Sequence, residues 1–327
     1  MVSARLTRRT ATAAGIAAGY AADLYFGDPR RGHPVAVFGN AAAALERRMW
    51  SASRFRGVLY TALCAGGATA TGLAVSARTR NNATARFAAT TVATWAVLGG
   101  SGLATEGEQM ARLLDAGDIP GARARLAHLC GRDPDGLDAD ALARAATESI
   151  AENTSDAVVA PLFWGGVAGL PGLLGYRALN TLDAMVGHRS PRYAEFGWAS
   201  ARADDLANLI PARLSAAAAA LCAPLVAGRS QAALLAWRRD AHRHPSPNAG
   251  PVEAAFAGAL GVRLGGSNSY GGRVEDRGPL GQGPPPGAGD LRRAVRLSRL
   301  VGLAALATGF GLAAAGRPRF SRAAGRR

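Results

Sequence analysis

The chain has 327 residues, and 49% of them are apolar although only 6% are aromatic, so small side chains supply much of the apolar content. Its net charge is +15, and all of the positive side-chain charge comes from arginine, because no lysine occurs in the sequence. Such a charge suits nucleic acid, phosphorylated ligands or an anionic lipid surface. The arginines flank apolar segments and form no basic face with interspersed aromatic residues. This arrangement argues against nucleic-acid binding and favours a lipid bilayer with anionic headgroups.

Four apolar segments are about as long as a helix that crosses a bilayer core. They comprise residues 58–77, 87–105, 206–228 and 300–316, and only the third contains a charged residue. A soluble, alanine-rich helical protein is the alternative, but several segments of this length are difficult to bury together in a soluble chain of this size. The sequence therefore predicts an all-α, polytopic integral membrane protein with about four to six membrane segments. Residues 1–327 are predicted to form a single membrane-embedded domain.

A further apolar segment, residues 157–176, is uncharged but interrupted by Pro161, Gly165-Gly166 and Pro171-Gly172. Proline removes a helix hydrogen bond, and a broken segment can enter a membrane and return where other helices cover its backbone. We therefore predict that this segment does not cross the membrane as one straight helix.

Polar stretches separate the apolar segments. Residues 106–156 alternate short helical pieces with turn sequences, and they are predicted to be a small helical insert within the membrane domain. Residues 229–299 are predicted to be a long polar loop region. The glycine- and proline-rich stretch 278–289 within it is predicted to be a loop that is neither helix nor sheet interior.

Three carboxylates spaced by four residues, Glu148, Glu152 and Asp156, would form one acidic stripe on a helix. Like charges at this spacing repel each other by about a few tenths of a kcal/mol per pair. A cation is the natural compensation, and oxygen ligands favour Mg²⁺ bound together with substrate phosphate. The other interpretation is a solvated acidic face near the membrane.

Two shorter polar clusters lie close to membrane segments. Asn180 and Asp183 follow the broken segment, where such a pair can orient a ligand or simply serve as a helix cap or packing pair. Asp204, Asp205 and Asn208 precede the segment 206–228 or begin it, and they allow the same two interpretations.

Two loops carry groups suited to phosphate. Ser246, Asn248 and Gly250 belong to a proline-containing loop predicted to lead into a helix, whose first amide groups can hold a phosphate. Ser246 and Asn248 could equally be helix caps. Gly265 and Gly266 begin a polar loop with exposed amides, although it lacks the spacing of a phosphate-binding P-loop.

A turn-rich loop near the start adds Asp28 and His33, and the polar clusters then occur in the order found in one known family. The chain resembles the adenosylcobinamide-phosphate synthase family of cobalamin biosynthesis through four strings: Gly27-Asp28-Pro29 with His33-Pro34, Glu148-Ser149-Ile150-Ala151-Glu152-Asn153 with Ser155-Asp156, Asn180-Thr181-Leu182-Asp183, and His244-Pro245-Ser246-Pro247-Asn248-Ala249-Gly250. The match covers most of residues 21–315. The chain departs from the family pattern after Gly265-Gly266, where Gly278 and the proline run 284–286 alter the loop.

The resemblance implies an enzyme that joins adenosylcobyric acid to (R)-1-aminopropan-2-ol or its O-phosphate by an amide bond, with consumption of ATP. The product would be adenosylcobinamide or its phosphate. A carboxylate is a poor electrophile, so its phosphorylation would create an acyl phosphate that the amine can attack. This scheme calls for Mg²⁺, phosphate-holding amides and stabilisation of the developing oxyanion.

The clusters supply these residue types, and the hypothesis gives each a role. Glu148, Glu152 and Asp156 are assigned to Mg²⁺ and ATP, and they form the predicted catalytic set together with Asp183. Binding of substrate and phosphate is assigned to Asp28, His33, Asn153, Asn180, Ser246, Asn248, Gly250, Gly265 and Gly266.

Two other functions fit the same segments. A membrane sensor could keep this fold without the chemistry, although the retained carboxylates argue against it. A small-solute transporter would usually bring more spans and internal repeats. The resemblance further implies a multi-pass protein of the cell membrane whose active site faces the cytoplasm, with possible docking to other enzymes of the pathway. The sequence leaves open whether the amine carries a phosphate.

Overall fold

The computed structural model describes residues 7–28, 32–188, 190–270 and 273–315. Helices make up most of this part of the chain: α1 Arg8–Phe26, α2 Pro34–Met49, α3 Arg54–Arg78, α4 Ala83–Val97, α5 Gly100–Asp115, α6 Ile119–Leu126, α7 Ala139–Thr154, α8 Ala160–Ala168, α9 Leu170–Leu182, α10 Trp198–Cys222, α11 Ser230–Asp240, α12 Ala249–Leu260 and α13 Ala288–Ala315. Two π-helical turns follow α7 and α9, at Ser155–Val159 and Asp183–Gly187. Short 3₁₀ turns follow α10 and α11, at Ala223–Val226 and Ala241–Arg243.

Four helical stretches of the described chain are long and apolar enough to cross a membrane: Arg54–Arg78, Ala83–Asp115, Trp198–Val226 and Ala288–Ala315. They contain the four apolar segments predicted from the sequence, apart from the last residues of two of them. Several of their large apolar side chains are exposed, among them Phe55 and Leu221, at 77% and 75%. Apolar side chains that point outward from a helix bundle suit contact with lipid. These helices confirm the predicted all-α, polytopic membrane protein.

Small residues allow the helices to pack closely, which explains the composition. A side chain at Gly19 of α1 would collide with Thr94 of α4, and one at Gly72 of α3 would collide with Pro171 of α9. Close backbone approach at small residues is the usual basis of helix association in membranes, where no hydrophobic effect separates helix from lipid.

The broken apolar segment forms a helical hairpin. α8 ends at Gly169, whose positive φ of 67° reverses the chain, and α9 then packs back against α8. A side chain at Gly172 would collide with the backbone oxygen of Trp164. The hairpin brings its two ends together, because the Tyr176 hydroxyl lies 3.1 Å from the backbone oxygen of Asp156. The prediction that residues 157–176 do not form one straight spanning helix is confirmed.

The region 229–299 contains more regular structure than its polar composition indicates. It holds α11, the start of α13 and α12, which is buried along its entire length. Its two antiparallel strands, β1 Leu264–Tyr270 and β2 Arg273–Leu280, form a hairpin. The stretch 278–289 was predicted to be loop throughout, and this was wrong for residues 278–280, which end β2, and for residues 288–289, which begin α13. Pro279 is tolerated there because both strands of a two-stranded hairpin are edge strands.

Candidate functional site

A polar cavity lies where the two π-helical turns meet α10 and the first turn of α12. Five carboxylates surround it, so the cavity is negatively charged although the whole chain carries +15. Such a site attracts cations. Its lining residues are Glu152, Ser155, Asp156, Asp183, Asp204, Asp205, Asn208, Ser246, Asn248, Ala249 and Val252.

Prolines shape the helices around the cavity. Pro161 has no amide hydrogen, so carbonyl groups of the preceding π-helical turn are free to accept other donors. The Ala157 oxygen accepts from the amide of Gly99, at 3.2 Å. Pro211 acts in the same way within α10, because the free oxygen of Ala207 accepts from the indole nitrogen of Trp164 at 3.0 Å. Wide or broken turns of this kind often occur at functional sites.

Asp156 lies at the centre of a hydrogen-bond network that joins α9 to the cavity. The amide nitrogen of Asn180 donates to its Oδ2 at 3.4 Å, and the amide oxygen of Asn180 accepts from Arg177 at 3.3 Å. On the other side, the Tyr176 hydroxyl donates to Asn208 at 2.9 Å. The amide nitrogen of Asn208 donates to Asp204, also at 2.9 Å.

Burial and mutual repulsion perturb the ionisation of the cavity carboxylates outside the spanning helices. Burial raises the pKa of Asp156 well above its ordinary range, and the nearby charges of Asp204 and Glu152 raise it further. Burial likewise raises the pKa of Asp183 to about 6, with added repulsion from Asp205. Such shifts are common where carboxylates bind cations or exchange protons.

Glu148, the first residue of the predicted stripe, lies away from the cavity. It is buried, its Oε2 pairs with Arg132, and its Oε1 accepts from the backbone amide of Gly265 at 2.7 Å. Arg144 lies 4.0 Å from Oε1 and also donates to the Gly265 oxygen at 2.8 Å. The stripe is therefore divided, since Glu148 anchors the β-hairpin while Glu152 and Asp156 face the cavity.

The loop before α12 contributes two predicted residues to the cavity wall. The Ser246 hydroxyl accepts from the amides of Asn248 and Ala249, at 3.3 Å and 3.2 Å, so it also caps α12. Asn248 donates to the Asp205 backbone oxygen at 2.8 Å and accepts from Arg213 at 3.0 Å.

The other predicted binding residues do not line the cavity. Asn153 donates to the backbone oxygen of Ser149 on its own helix. Gly250 packs against a backbone oxygen of the turn before the loop, where a side chain would collide. The amide of Gly265 is occupied by Glu148, and Gly266 has a positive φ of 87° beside Arg144.

Asp28 and His33 face each other at 3.7 Å in the loop between α1 and α2. His33 also caps α2, since its Nδ1 accepts from the amide of Val35 at 3.2 Å. Burial lowers the pKa of Arg177 on α9, and the charges of Tyr176, Asp28 and Asp156 oppose this shift.

A buried pair behind the cavity wall, His244 and Glu253, was assigned no role from the sequence. The His244 Nε2 lies 3.6 Å from Glu253 Oε1, and its Nδ1 accepts from the Ser246 amide at 3.0 Å. Burial lowers the pKa of His244 to about 4 and raises that of Glu253 well above its ordinary range, with further repulsion from Glu148 and Glu152. His244 is therefore neutral near pH 7, and the pair supports the loop that carries Ser246.

Sequence reasoning singled out Asp204, Asp205 and Asn208 but gave them no role, and it overlooked Arg177 and Tyr176. The signal for the first three was their spacing, which places Asp204 and Asn208 on one face of a helix. Tyr176 and Arg177 lie shortly before the string that begins at Asn180. The charge of Arg177 and the hydroxyl of Tyr176, at the end of an otherwise apolar segment, were the available signals for a functional role.

The donor set fits Mg²⁺ held together with phosphate. No three Asp, Glu, His or Cys side chains converge as a ready-made metal site within the part of the chain that the structure describes. However, Mg²⁺ commonly takes only one or two carboxylates and completes its coordination with water and substrate phosphates. Oδ1 of Asp204 is buried with no hydrogen-bond partner among the described residues, which leaves an acceptor for a cation or for a donor on a ligand.

Comparison with known proteins gives one consistent family. The model of the CobD/Cbib protein family matches residues 16–298. The chain is 53% identical over 290 residues to the cobalamin biosynthesis protein CobD of Mycobacterium tuberculosis, covering 88% of this chain and 92% of the relative. It is 46% identical over 287 residues to CobD of Rhodobacter capsulatus, covering 85% and 90%. CobD of Geobacter metallireducens is 46% identical over 261 residues, covering 77% and 80%.

No solved structure gives a significant match to the chain. The family model extends over the cavity and over all four strings on which the resemblance was based. The chain therefore belongs to the CobD/CbiB family of cobalamin biosynthesis proteins.

Proposed function

We propose that this protein forms the amide bond between adenosylcobyric acid and (R)-1-aminopropan-2-ol or its O-phosphate, with consumption of ATP, as an adenosylcobinamide-phosphate synthase. Membership of the cobalamin biosynthesis family supports the pathway. The observation that carries the chemistry is the acidic cavity, where segments distant in sequence place five carboxylates together with Ser246 and Asn248.

The cavity suits an amine substrate for two reasons. An alkylamine is an ammonium ion near neutral pH, so the carboxylates attract it. The amine becomes a nucleophile only when it loses a proton, and Asp183 has a raised pKa of about 6 that makes it a suitable acceptor. In the proposed reaction the amine nitrogen attacks the activated acyl carbon, phosphate leaves, and a cavity carboxylate takes the proton.

We assign Mg²⁺ binding to Glu152 and Asp156, because Glu148 is engaged by Arg132 and Gly265. When bound, the ion neutralises phosphate charge during activation of the corrinoid carboxylate. Ser246 and Asn248 line the same cavity, where they can orient a substrate by hydrogen bonds. We further propose that the cavity faces the cytoplasm from the cell membrane, since a large water-soluble corrinoid must reach it.

Cation binding in the cavity should depend on the ionisation of Asp183. Its pKa is raised from 3.8 to about 6, so the carboxylate is mostly neutral at pH 5 and mostly charged at pH 7. The shift favours folding below about pH 4, and this contribution is lost as the pH rises through about 6. We expect thermal stabilisation by Mg²⁺ or by aminopropanol to increase between pH 5 and 7.

The measurement is the ligand-induced shift in unfolding temperature as a function of pH in detergent. In Asp183→Asn the step near pH 6 should be absent. An unchanged step in that variant would assign the titration to another group.

The function itself is tested with purified protein in detergent, given adenosylcobyric acid, Mg-ATP and either form of the amine. We expect amide product and ADP in equal amounts, and no product when ATP is omitted. Mass spectrometry of the corrinoid gives the readout. Failure to form product with either amine, in protein that still binds the corrinoid, would contradict the ligase proposal and favour a sensor.

A further inference from the structure

Arg177 is a cation beside an acidic cavity, yet it forms no ion pair with a described carboxylate. Its Nε is buried and has no hydrogen-bond partner within the described chain, and its Nη1 makes one long hydrogen bond of 3.3 Å to the amide oxygen of Asn180. A shielded guanidinium normally binds a carboxylate or phosphate in a two-pronged arrangement. This one has unused donors.

Asn180 holds Arg177 and Asp156 apart. Its amide oxygen accepts from Arg177, while its amide nitrogen donates to Asp156 at 3.4 Å. A positive and a negative group are therefore separated by a single amide. An arginine that only neutralised the cavity would pair with Asp156 directly. The observed separation instead matches a ligand that carries an ammonium and an anion a few atoms apart.

Burial lowers the pKa of Arg177, and the charges of Tyr176, Asp28 and Asp156 act against this shift. Asp28 in turn lies 3.7 Å from His33. Through Asn180, the guanidinium is linked to the two family-like segments around residues 156 and 180. None of the roles assigned above uses it.

We propose that Arg177 is the anion-recognition residue beside the cavity, which binds the phosphate of a small amino-alkyl phosphate while the carboxylates bind its ammonium group. In 1-aminopropan-2-yl phosphate three atoms separate nitrogen from phosphorus. This separation is similar to that between Asp156 and Arg177, which the side-chain amide of Asn180 bridges. This inference rests on the proposed function. It makes Arg177 the residue that discriminates the phosphorylated amine from the free one.

The test compares kcat/KM for 1-aminopropan-2-yl phosphate and 1-aminopropan-2-ol in the wild type and in Arg177→Gln. A charge-assisted hydrogen bond gives about 10- to 100-fold discrimination, and we expect the variant to lose the preference by this factor. Arg177→Lys should restore part of it. Arg54→Gln is the matched control, because Arg54 is exposed and pairs with Glu195 at 2.9 Å away from the cavity, and its preference should stay within about twofold of the wild type.

Two further measurements separate the possible anions. An increase only in the KM for ATP would assign Arg177 to the nucleotide, and equal losses with both amines would assign it to charge neutralisation; either result overturns the proposal. In the wild type, inorganic phosphate should compete with the phosphorylated amine and not with the free amine, and lack of competition also overturns it.

A binding measurement keeps this inference distinct from the ligase activity. Without ATP and corrinoid, 1-aminopropan-2-yl phosphate should raise the unfolding temperature of the wild type more than that of Arg177→Gln. A protein that binds this phosphate but forms no amide would retain the Arg177 subsite while the proposed function fails.

Discussion

Replacing Asp156 by asparagine is expected to remove amide formation and, at the same time, to leave the protein as stable as the wild type or more stable. The side chain keeps its shape, but the cavity loses a proposed ligand of the cation. A bound metal ion contributes several kcal/mol of charge stabilisation in such reactions, so we expect the rate to fall by about 10²- to 10⁴-fold. We expect the same direction for Glu152→Gln, which removes a second carboxylate from the cavity.

The effect on stability has the opposite sign for a physical reason. Asp156 is buried among like charges, and these raise its pKa, so its ionised form opposes folding. An uncharged amide removes that repulsion. Functional sites commonly hold groups that reduce stability in this way, and their removal then exchanges activity for stability.

The measurement pairs product formation with the unfolding temperature in detergent. Asp115→Asn is the matched control, since it makes the same chemical change at an exposed ion pair with Arg292. Exposed pairs contribute about 0–1 kcal/mol, so this control should retain both activity and stability. An active Asp156→Asn protein would remove the cavity from the mechanism.

The sequence predicted the membrane-spanning helices because length and absence of charge are local properties. It also predicted the break in residues 157–176, since proline and glycine act on the backbone at their own positions. The buried helix α12 was only partly foreseen. Its start at the proline-containing loop was predicted. At 12 residues, however, it is too short to be recognised as a membrane span, and the polar residues around it gave no sign that it would be buried.

The site was predicted less completely because its geometry depends on contacts between distant segments. Spacing alone places Glu148, Glu152 and Asp156 on one helix face, and they do lie on one continuous helical stretch. Spacing cannot say what approaches each carboxylate. Glu148 meets Gly265, which is 117 residues away in sequence, and Asp156 meets Asn180 across the re-entrant hairpin. These partners divide the stripe, because Glu148 anchors the β-hairpin while Glu152 and Asp156 face the cavity.

The division predicts that Glu148→Gln acts on folding and not on chemistry. Glu148 and Arg132 are both buried, and each side chain is only 3% exposed. A glutamine can still accept from the Gly265 amide, but it removes the carboxylate that pairs with Arg132 at Oε2. Breaking a buried ion pair by removing one partner costs about 3–5 kcal/mol. We expect a large drop in the unfolding temperature.

The same contact gives a local signature. Because Glu148 holds Gly265 at the start of β1, its loss should expose the β-hairpin to protease before the rest of the protein unfolds. Removing the arginine as well, in Glu148→Gln with Arg132→Met, takes away the buried charge that Glu148 paired with and should recover part of the lost stability. The folded fraction of either variant should form amide at a rate close to that of the wild type. A stable Glu148→Gln protein without activity would instead place Glu148 at the metal, as the simple stripe implies.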